Sequence, residues 1–412
     1  MRKLIFIDMK KYRDKNVLEA AQERIRFVFD NFQRVVLSFS GGKDSTTMFH
    51  LVADEAIKRG RKFAVMAIDF EAQYKLTAEN MERMFDMYSE VVEPYWICLP
   101  MHLRNAASNY EPWWLCWDKE KKDLWVRSIP KVAISDEKYF PFFNSGMEFE
   151  EFIVLFAEWY SAGENTAVFV GIRADESLNR YRTVASPVFL RNKEMFQNKP
   201  WTTKVTGTSY NAYPIYDWKT SDIWLYHKKF KDKPHNKIYD LMWQAGVSPA
   251  KQRLCQPYGD DQRRGLWLYH LLEPETWYKV VARVNGANSM ATYVEETGNM
   301  TGYNKITKPK GHTYKSFCQL LLSSLPKKSR DHFLKRFNVF INGWRGRGYI
   351  DDIPDEAPRV LEVAHWAPSY RRLCKVLLRN DYWCKGLGLT QPKSEAYERY
   401  MEIKKEKEKT TA

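Results

Sequence analysis

Val35-Val36-Leu37-Ser38-Phe39-Ser40-Gly41-Gly42-Lys43-Asp44-Ser45 is the stretch on which the fold hinges. Its first five residues form an apolar, β-branched run of the length expected for a buried strand. The glycine pair ends that run, and an amphipathic helix pattern takes over from about Ser45 to Arg59. Adjacent glycines let the backbone come close to a ligand. The N–H groups of the turn and of the helix N-terminus then face an anion, and Lys43 adds a mobile cation. Such a loop suits phosphate, which makes Ser38, Ser40, Gly41, Gly42, Lys43, Asp44 and Ser45 its candidate binding residues. The alternative for the bare glycines is a tight strand–helix turn with the lysine in solvent. A Walker A loop is excluded, because the GxxxxGK[ST] spacing is absent.

Outward from this point, short apolar runs alternate with longer amphipathic stretches, the pattern of a parallel α/β sheet. A helix is expected over 16–32, a second strand at Phe63–Ile68 ending in Asp69, a helix over 76–90 and a third strand at Tyr95–Leu99. Residues 101–145, with Trp113-Trp114-Leu115-Cys116-Trp117, interrupt the alternation and read as a partly irregular insert. A helix at about 148–162 and a strand at Ala167–Gly171 follow. Tyr213-Pro214-Ile215-Tyr216 then reads as the closing strand, before a helix from Ser221 to Phe230 capped by Thr220 or Ser221. The fold class is thus an open, mostly parallel α/β sheet with helices on both faces, over residues 1–260. Beyond it, 261–412 reads as a mainly helical region, with a glycine- and arginine-bearing loop at Asn342–Tyr349 and a solvated lysine/glutamate tail after Ser394.

Composition sets wider bounds. The 412 residues are 44% hydrophobic, enough to bury a substantial core, and no run approaches the ~18 apolar residues of a membrane helix. No signal peptide or membrane partner is expected. The six cysteines (Cys98, Cys116, Cys255, Cys318, Cys374, Cys384) contain no CxxC pair, which fits a reducing cytoplasm better than a disulfide scaffold, zinc ribbon or iron–sulfur site. The eight histidines show no HExxH spacing, and no GxSxG occurs. Sixty-five Lys and Arg against 51 Asp and Glu give a formal charge of +14. That excess suits a polyanionic partner, DNA or RNA among them, or phosphate-rich small ligands.

Two more segments bear on chemistry: Gly171-Ile172-Arg173-Ala174-Asp175-Glu176-Ser177 at an expected strand end, and Tyr213-Pro214-Ile215-Tyr216-Asp217-Trp218-Lys219-Thr220-Ser221-Asp222-Ile223-Trp224. Together with the SGGKDS loop, and with Asp69 followed by Thr77, they resemble the adenine nucleotide alpha hydrolase superfamily. The second and third match the GIRxxES and P-x-x-x-W-x-x-x-D-[IV]-W elements of its phosphoadenylyl-sulfate (PAPS) reductase branch. The resemblance covers roughly 30–260. It implies a PP-loop site for an adenine nucleotide, ATP or PAPS, with Mg2+, in which the loop, Gly171, Arg173, Glu176 and Arg180 surround the phosphates. Strand C-termini converge in such a sheet, so loops after different strands meet over one ligand. Arg173 offers a planar, permanently charged fork; its alternative is a surface pair with Asp175 or Glu176. Asp69 accepts from ribose or adenine, or else caps a helix. Asp44 binds the metal ion or fixes the loop. The long aromatic insert and helical C-terminal region further resemble the immunoglobulin-binding regulator A type, which implies a ParB-like partner.

One departure matters. The C-terminal ECG[LI]H motif, which carries the attacking thiol of PAPS reductases, is missing. Cys255, near Arg253, Arg263 and Arg264, is the one cysteine in a thiolate-favouring setting, against the alternative of a small buried hydrophobe. Three readings follow: nucleotidyl transfer from ATP with release of pyrophosphate, catalysed through Lys43, Asp44 and Arg173; sulfonucleotide chemistry with Cys255 or a partner's thiol; or a nucleotide-sensing or DNA-binding regulator without turnover.

Overall fold

The computed structural model describes residues 14–108, 110–184, 194–254, 258–259, 266–288, 306–349 and 351–390. Within them the chain divides into two compact units. One draws on 1–68, 76–96 and 154–239, the other on 69–75, 97–153 and 240–412.

The first unit begins with α1 (Val17–Asn31), whose N-cap Asn16 accepts from the Glu19 N–H while the Glu19 side chain accepts from the Asn16 N–H. Strand β1 (Arg34–Ser38) buries Val35, Val36 and Leu37 and leads through the glycine loop into α2 (Lys43–Arg59). Then come β2 (Phe63–Ile68), α3 (Lys75–Met87) and β3 (Val92–Ile97). After β4 (His102–Arg104) and β5 (Trp113–Leu115), which belong to the second unit, α4 (Phe149–Ser161) leads to β6 (Thr166–Val170) and α5 (Leu178–Val184). Strands β7 (Thr202–Thr206) and β8 (Ser209–Ala212), α6 (Thr220–Lys229) and α7 (Ile238–Gln244) complete this part of the chain.

Six strands form one sheet in the order β3-β2-β1-β6-β8-β7. Strand β1 runs parallel to β2 and β6, β6 runs parallel to β8, and β7 is an antiparallel edge. This is the expected open, mostly parallel sheet. Its order changes direction between β1 and β6, so the loops after these two strands leave the same edge at a switch point, where α/β sheets place ligands. The register Ser38↔Val170 aligns the two strand ends.

Three local expectations are corrected. Tyr213–Tyr216 is a turn, with Tyr216 N–H donating to Tyr213 O at 3.2 Å, and the closing strands lie just before it at β7 and β8. Pro214 has no N–H for a ladder, whereas the threonine-rich β7 pairs with β8 at the sheet's edge. Helix α6 is capped at Lys219, whose N–H donates to Asp222 Oδ2 at 2.7 Å, rather than at Thr220 or Ser221. Residues Asn342 to Arg345, expected in a loop, are the last turn of a helix that starts at Lys327.

The second unit holds the antiparallel β4–β5 hairpin within the expected irregular insert. Its helices are α8 (Leu266–Leu272), α9 (Pro274–Arg283), α10 (Tyr314–Ser323), α11 (Lys327–Arg345), α12 (Arg359–Val363) and α13 (Tyr370–Leu378). Phe317, Phe333, Phe337, Phe340, Leu373 and Leu377 form the centre of a buried cluster there. The expected tail after Ser394 lies outside the described residues, which end at 390. No helix among the described residues is long and apolar enough to cross a membrane.

Candidate phosphate-binding site

The loop after β1 is held by groups distant in sequence. Phe39 keeps its N–H on the sheet, donating to Met66 O at 2.9 Å, before Gly41 turns the chain with φ +71°. A Cβ on Gly41 would lie 2.8 Å from Thr77 Cγ2, so both conformation and space call for glycine. The Gly41 carbonyl accepts from Asn236 Nδ2 at 2.9 Å and from Asn80 Nδ2 at 3.4 Å. Because the peptide is planar and trans, this points the Gly42 N–H away from the asparagines. Helix α2 starts at Lys43, two residues before the expected Ser45, with Gly42 as its N-cap.

Two of the loop's N–H groups have protein partners. Lys43 N–H donates to Tyr239 Oη at 3.0 Å, and Ser40 N–H to Ser45 Oγ at 3.4 Å. Ser45 Oγ donates in turn to Gly42 O at 3.1 Å, and the hydroxyl of Ser40, an exposed residue, lies 3.1 Å from Ser45 Oγ. Ser38 is half-buried at the end of β1.

Arg173 arrives from the loop after β6. Gly171 allows the approach: a Cβ there would stand 3.2 Å from the Ser45 backbone nitrogen. The Arg173 guanidinium is 1% exposed and donates from Nε to Asp44 Oδ1 at 2.6 Å. The other Asp44 oxygen, Oδ2, lies 3.3 Å from Lys43 Nζ. One carboxylate thus sits between two cations, and Arg173 Nη1, buried, has no hydrogen-bond partner among the described residues. A buried guanidinium with an unmet donor has room for a further acceptor, and an anionic oxygen is the partner its charge favours. The alternative pairing of Arg173 with Asp175 or Glu176 is replaced by this one. Glu176 instead pairs with Arg180 at 2.7 Å, one helical turn away.

A metal ion fits these residues poorly. Asp44, the candidate ligand, turns one oxygen to Arg173 and the other toward Lys43, and no cluster of three His, Cys, Asp or Glu among the described residues could hold an ion. A hard cation needs carboxylate oxygens that are not already facing cations.

Beneath α2, a histidine pair secures the segment that brings in Asn236 and Tyr239. His227 lies 2.9 Å from Thr47 Oγ1 and 2.8 Å from Lys233 O; His50 lies 2.6 Å from Tyr88 Oη and 2.9 Å from Pro234 O. Burial pushes the pKa of His50 down to about 3 and that of His227 to about 4, so both rings are neutral at pH 7. Asn80, Asn236 and Tyr239 were not legible as site residues.

In the second unit, Asp69 is 1% exposed, forms an ion pair with Arg127 and accepts from Glu71 N–H at 3.0 Å. Its carboxylate meets a guanidinium, the partner that sequence did not anticipate. Arg127 lines a cavity of about 720 Å³ with Trp117, Trp125, Lys122 and Lys279. Behind it, Glu71, fully buried, takes Arg283 Nε at 2.9 Å and the Trp117 N–H at 2.7 Å. Cys98, Cys116, Cys318, Cys374 and Cys384 are all buried. Burial raises the thiol pKa of Cys98 and Cys116, and that of Cys384 up to about 12. Cys374 is raised chiefly by its hydrogen bond with Cys318. Cys255, with Arg263 and Arg264, lies outside the described residues.

Residues 34–245 match the model of the phosphoadenosine phosphosulfate reductase domain, and 246–350 match a domain of unknown function, DUF3440. The uncharacterized protein YbdN of Escherichia coli (strain K12) is 42% identical over 393 residues, covering 94% of each chain. Among solved structures, the PAPS reductase of Candida auris in a phosphate complex is 14% identical with a TM-score of 0.32, over 56% of this chain and 93% of that one. The NMN synthetase of Francisella tularensis is likewise 14% identical, with a TM-score of 0.31 over 72% of this chain and all of that one. On the match over 34–245, which spans the loop, Gly171 and Arg173, the chain belongs to the phosphoadenosine phosphosulfate reductase domain family.

Proposed function

We propose that this chain binds ATP at the loop after β1 and catalyses attack of an acceptor on its alpha phosphorus. The bond from the acceptor to phosphorus forms, the bridge to the beta phosphate breaks, and pyrophosphate leaves with the bonding electrons. The observation that carries the reading is the buried Arg173, aligned by Asp44 and holding an unmet Nη1 donor beside the helix N-terminus. Lys43, Arg173 and the Gly42 N–H would neutralise the charge that builds on the phosphates, a role that needs positioning more than covalent chemistry. Asp44 fixes the loop; with its carboxylate committed to the two cations, no step here runs through a protein-bound metal ion. The +14 charge supports a nucleic-acid acceptor.

The family match favours a second reading, PAPS in the same cleft. Five buried cysteines with raised or unexposed thiols do not supply its nucleophile at neutral pH, leaving Cys255 or a partner's thiol. The immunoglobulin-binding regulator A subtype and its ParB-like partner rest on sequence resemblance alone and carry no part of the proposal. The test is steady-state pyrophosphate release from ATP with single-stranded DNA and with RNA. Acceptor-dependent release that Arg173→Leu abolishes supports the proposal. Release of sulfite from PAPS, without pyrophosphate from ATP, would transfer the site to sulfonucleotide chemistry, and no turnover of either would leave a nucleotide sensor.

A further inference from the structure

A cavity of about 300 Å³ in the helical part of the second unit is lined by Arg359, Arg371, Arg372, Lys375 and Arg379. The last turns of sequence explain the crowding. Arg371, Lys375 and Arg379 recur every four residues along α13 and its C-cap, so like charges stack on one helix face and repel. Two acids share the lining, Glu362 and Asp381, and both are already engaged. Glu362 takes Arg371 Nε at 3.0 Å, Ser369 Oγ at 2.5 Å and the Ala357 N–H at 3.2 Å. Asp381 takes the N–H groups of Lys385 at 3.0 Å and Gly386 at 2.7 Å.

Among the described residues, Arg359, Arg372 and Lys375 form no ion pair of their own, the one nearby carboxylate, Glu362, being paired with Arg371. Arg372 is 5% exposed, and among the described residues its guanidinium donates to neutral acceptors: Ala367 O at 2.7 Å, Gly386 O at 3.1 Å and His365 Nδ1 at 3.0 Å. Lys375 has no ion-pair partner among the described residues, and burial together with Arg379, Arg372 and Arg371 disfavours its charge, with Glu362 offsetting this in part. A buried guanidinium normally has a carboxylate or phosphate counter-ion. His365 adds a donor: its Nδ1 accepts from Arg372, which leaves the N–H of the neutral ring on Nε2. It holds that place at φ +62°, a left-handed conformation that usually selects glycine at a helix C-terminus.

We propose that this cavity is a site for a phosphate group, independent of the nucleotide loop, in which Arg372, Lys375 and Arg359 supply the charge and His365 a hydrogen bond. The same chemistry comes from a small phosphorylated ligand or from a polynucleotide backbone. The test is calorimetric titration of the full chain with inorganic phosphate in the Lys43→Ala background, which weakens the loop. Saturable binding is expected to persist there and to weaken at least tenfold on adding Lys375→Met, with the thermal midpoint in phosphate-free buffer unchanged or raised because a repelling charge is gone. Arg359→Gln, at an exposed position, is expected to weaken binding without moving the midpoint. Loss of all phosphate binding in Lys43→Ala alone overturns the proposal, as does an unchanged Kd in both cavity variants. A single-stranded oligonucleotide that displaces phosphate, with the same sensitivity to Lys375→Met, assigns the backbone as the source; an oligonucleotide that leaves phosphate bound assigns a small ligand.

Discussion

Arg173→Leu separates the two jobs that the guanidinium performs. In the ligand-free protein it removes the 2.6 Å bond to Asp44, yet Lys43 Nζ remains 3.3 Å from the other oxygen and the Asp44 side chain keeps 14% of its exposure. The carboxylate is therefore not stranded, and the expected loss of stability is about 1–3 kcal/mol, below the ~3–5 kcal/mol for breaking a fully buried pair. In the nucleotide complex the variant loses the charge-assisted bond from Nη1, worth about 1.5–3 kcal/mol, so the Kd for ATP should rise roughly 10- to 150-fold. Calorimetry at pH 7 gives the second quantity and urea unfolding the first. A Kd within about threefold of wild type would refute the assignment of Arg173 to the phosphates, taking 1.4 kcal/mol per tenfold as the scale. Asp44→Asn is the control. It leaves both cations in place, so ATP affinity should hold while stability falls by about 3–5 kcal/mol, the cost of an uncompensated buried charge. An affinity loss as large as that of Arg173→Leu would instead make Asp44 a ligand-holding residue.

Other outcomes follow from the same structure. Arg283→Leu strands the fully buried Glu71 and should cost about 3–5 kcal/mol in urea unfolding, recovered only in part in the Glu71→Leu/Arg283→Leu double variant because the Trp117 and Val126 N–H groups then lose their acceptor; a loss below about 1 kcal/mol in the single variant would contradict this. His50 and His227 titrate near 3 and 4 in the fold against 6.5 in the free side chain. The unfolded chain binds more protons below that value, so their contribution is complete above about pH 6.5. It is lost as pH falls toward 4 and then 3, by up to ~1.4 kcal/mol per pH unit for each ring. Urea midpoints at pH 7, 6 and 5 check it, and a flat profile argues against neutral buried rings. Gly171→Ala places a methyl 3.2 Å from the Ser45 backbone nitrogen. A shift of the α2 start costing about 1–3 kcal/mol is expected, with ATP affinity falling in parallel; unchanged affinity would mean the close approach is not needed.

Much of the site could be read in the sequence because its main signals are local. The run Val35–Phe39 and the glycine pair are contiguous, and Gly171 to Arg173 sit at the next strand end at the switch point, so strand, turn and charge announced themselves together. The start of α2 did not. Lys43 and Asp44 are polar and look like loop, but Tyr239 and Arg173 hold them from elsewhere in the chain. Asn236, 195 residues from the carbonyl it binds, carries no pattern of its own. The closing strands were misplaced because Tyr213–Tyr216 is the more apolar stretch, while burial at a sheet edge favours the half-polar β7 and β8. Asp69 was legible as a residue of interest, but its partner Arg127 lies in an insert with no periodicity. The buried Arg372 was hidden for the opposite reason, since arginine in a helix normally faces water.

The nucleotide site is tested most directly by calorimetric binding of ATP, with and without magnesium, against PAPS and 3′,5′-bisphosphoadenosine, for wild type and Lys43→Ala. ATP is expected to bind more tightly than the 3′-phosphorylated ligands, with an affinity that drops in Lys43→Ala. Preference for the 3′-phosphorylated ligands would contradict the adenylyl-transfer account, and no binding of any of them would contradict the nucleotide site itself.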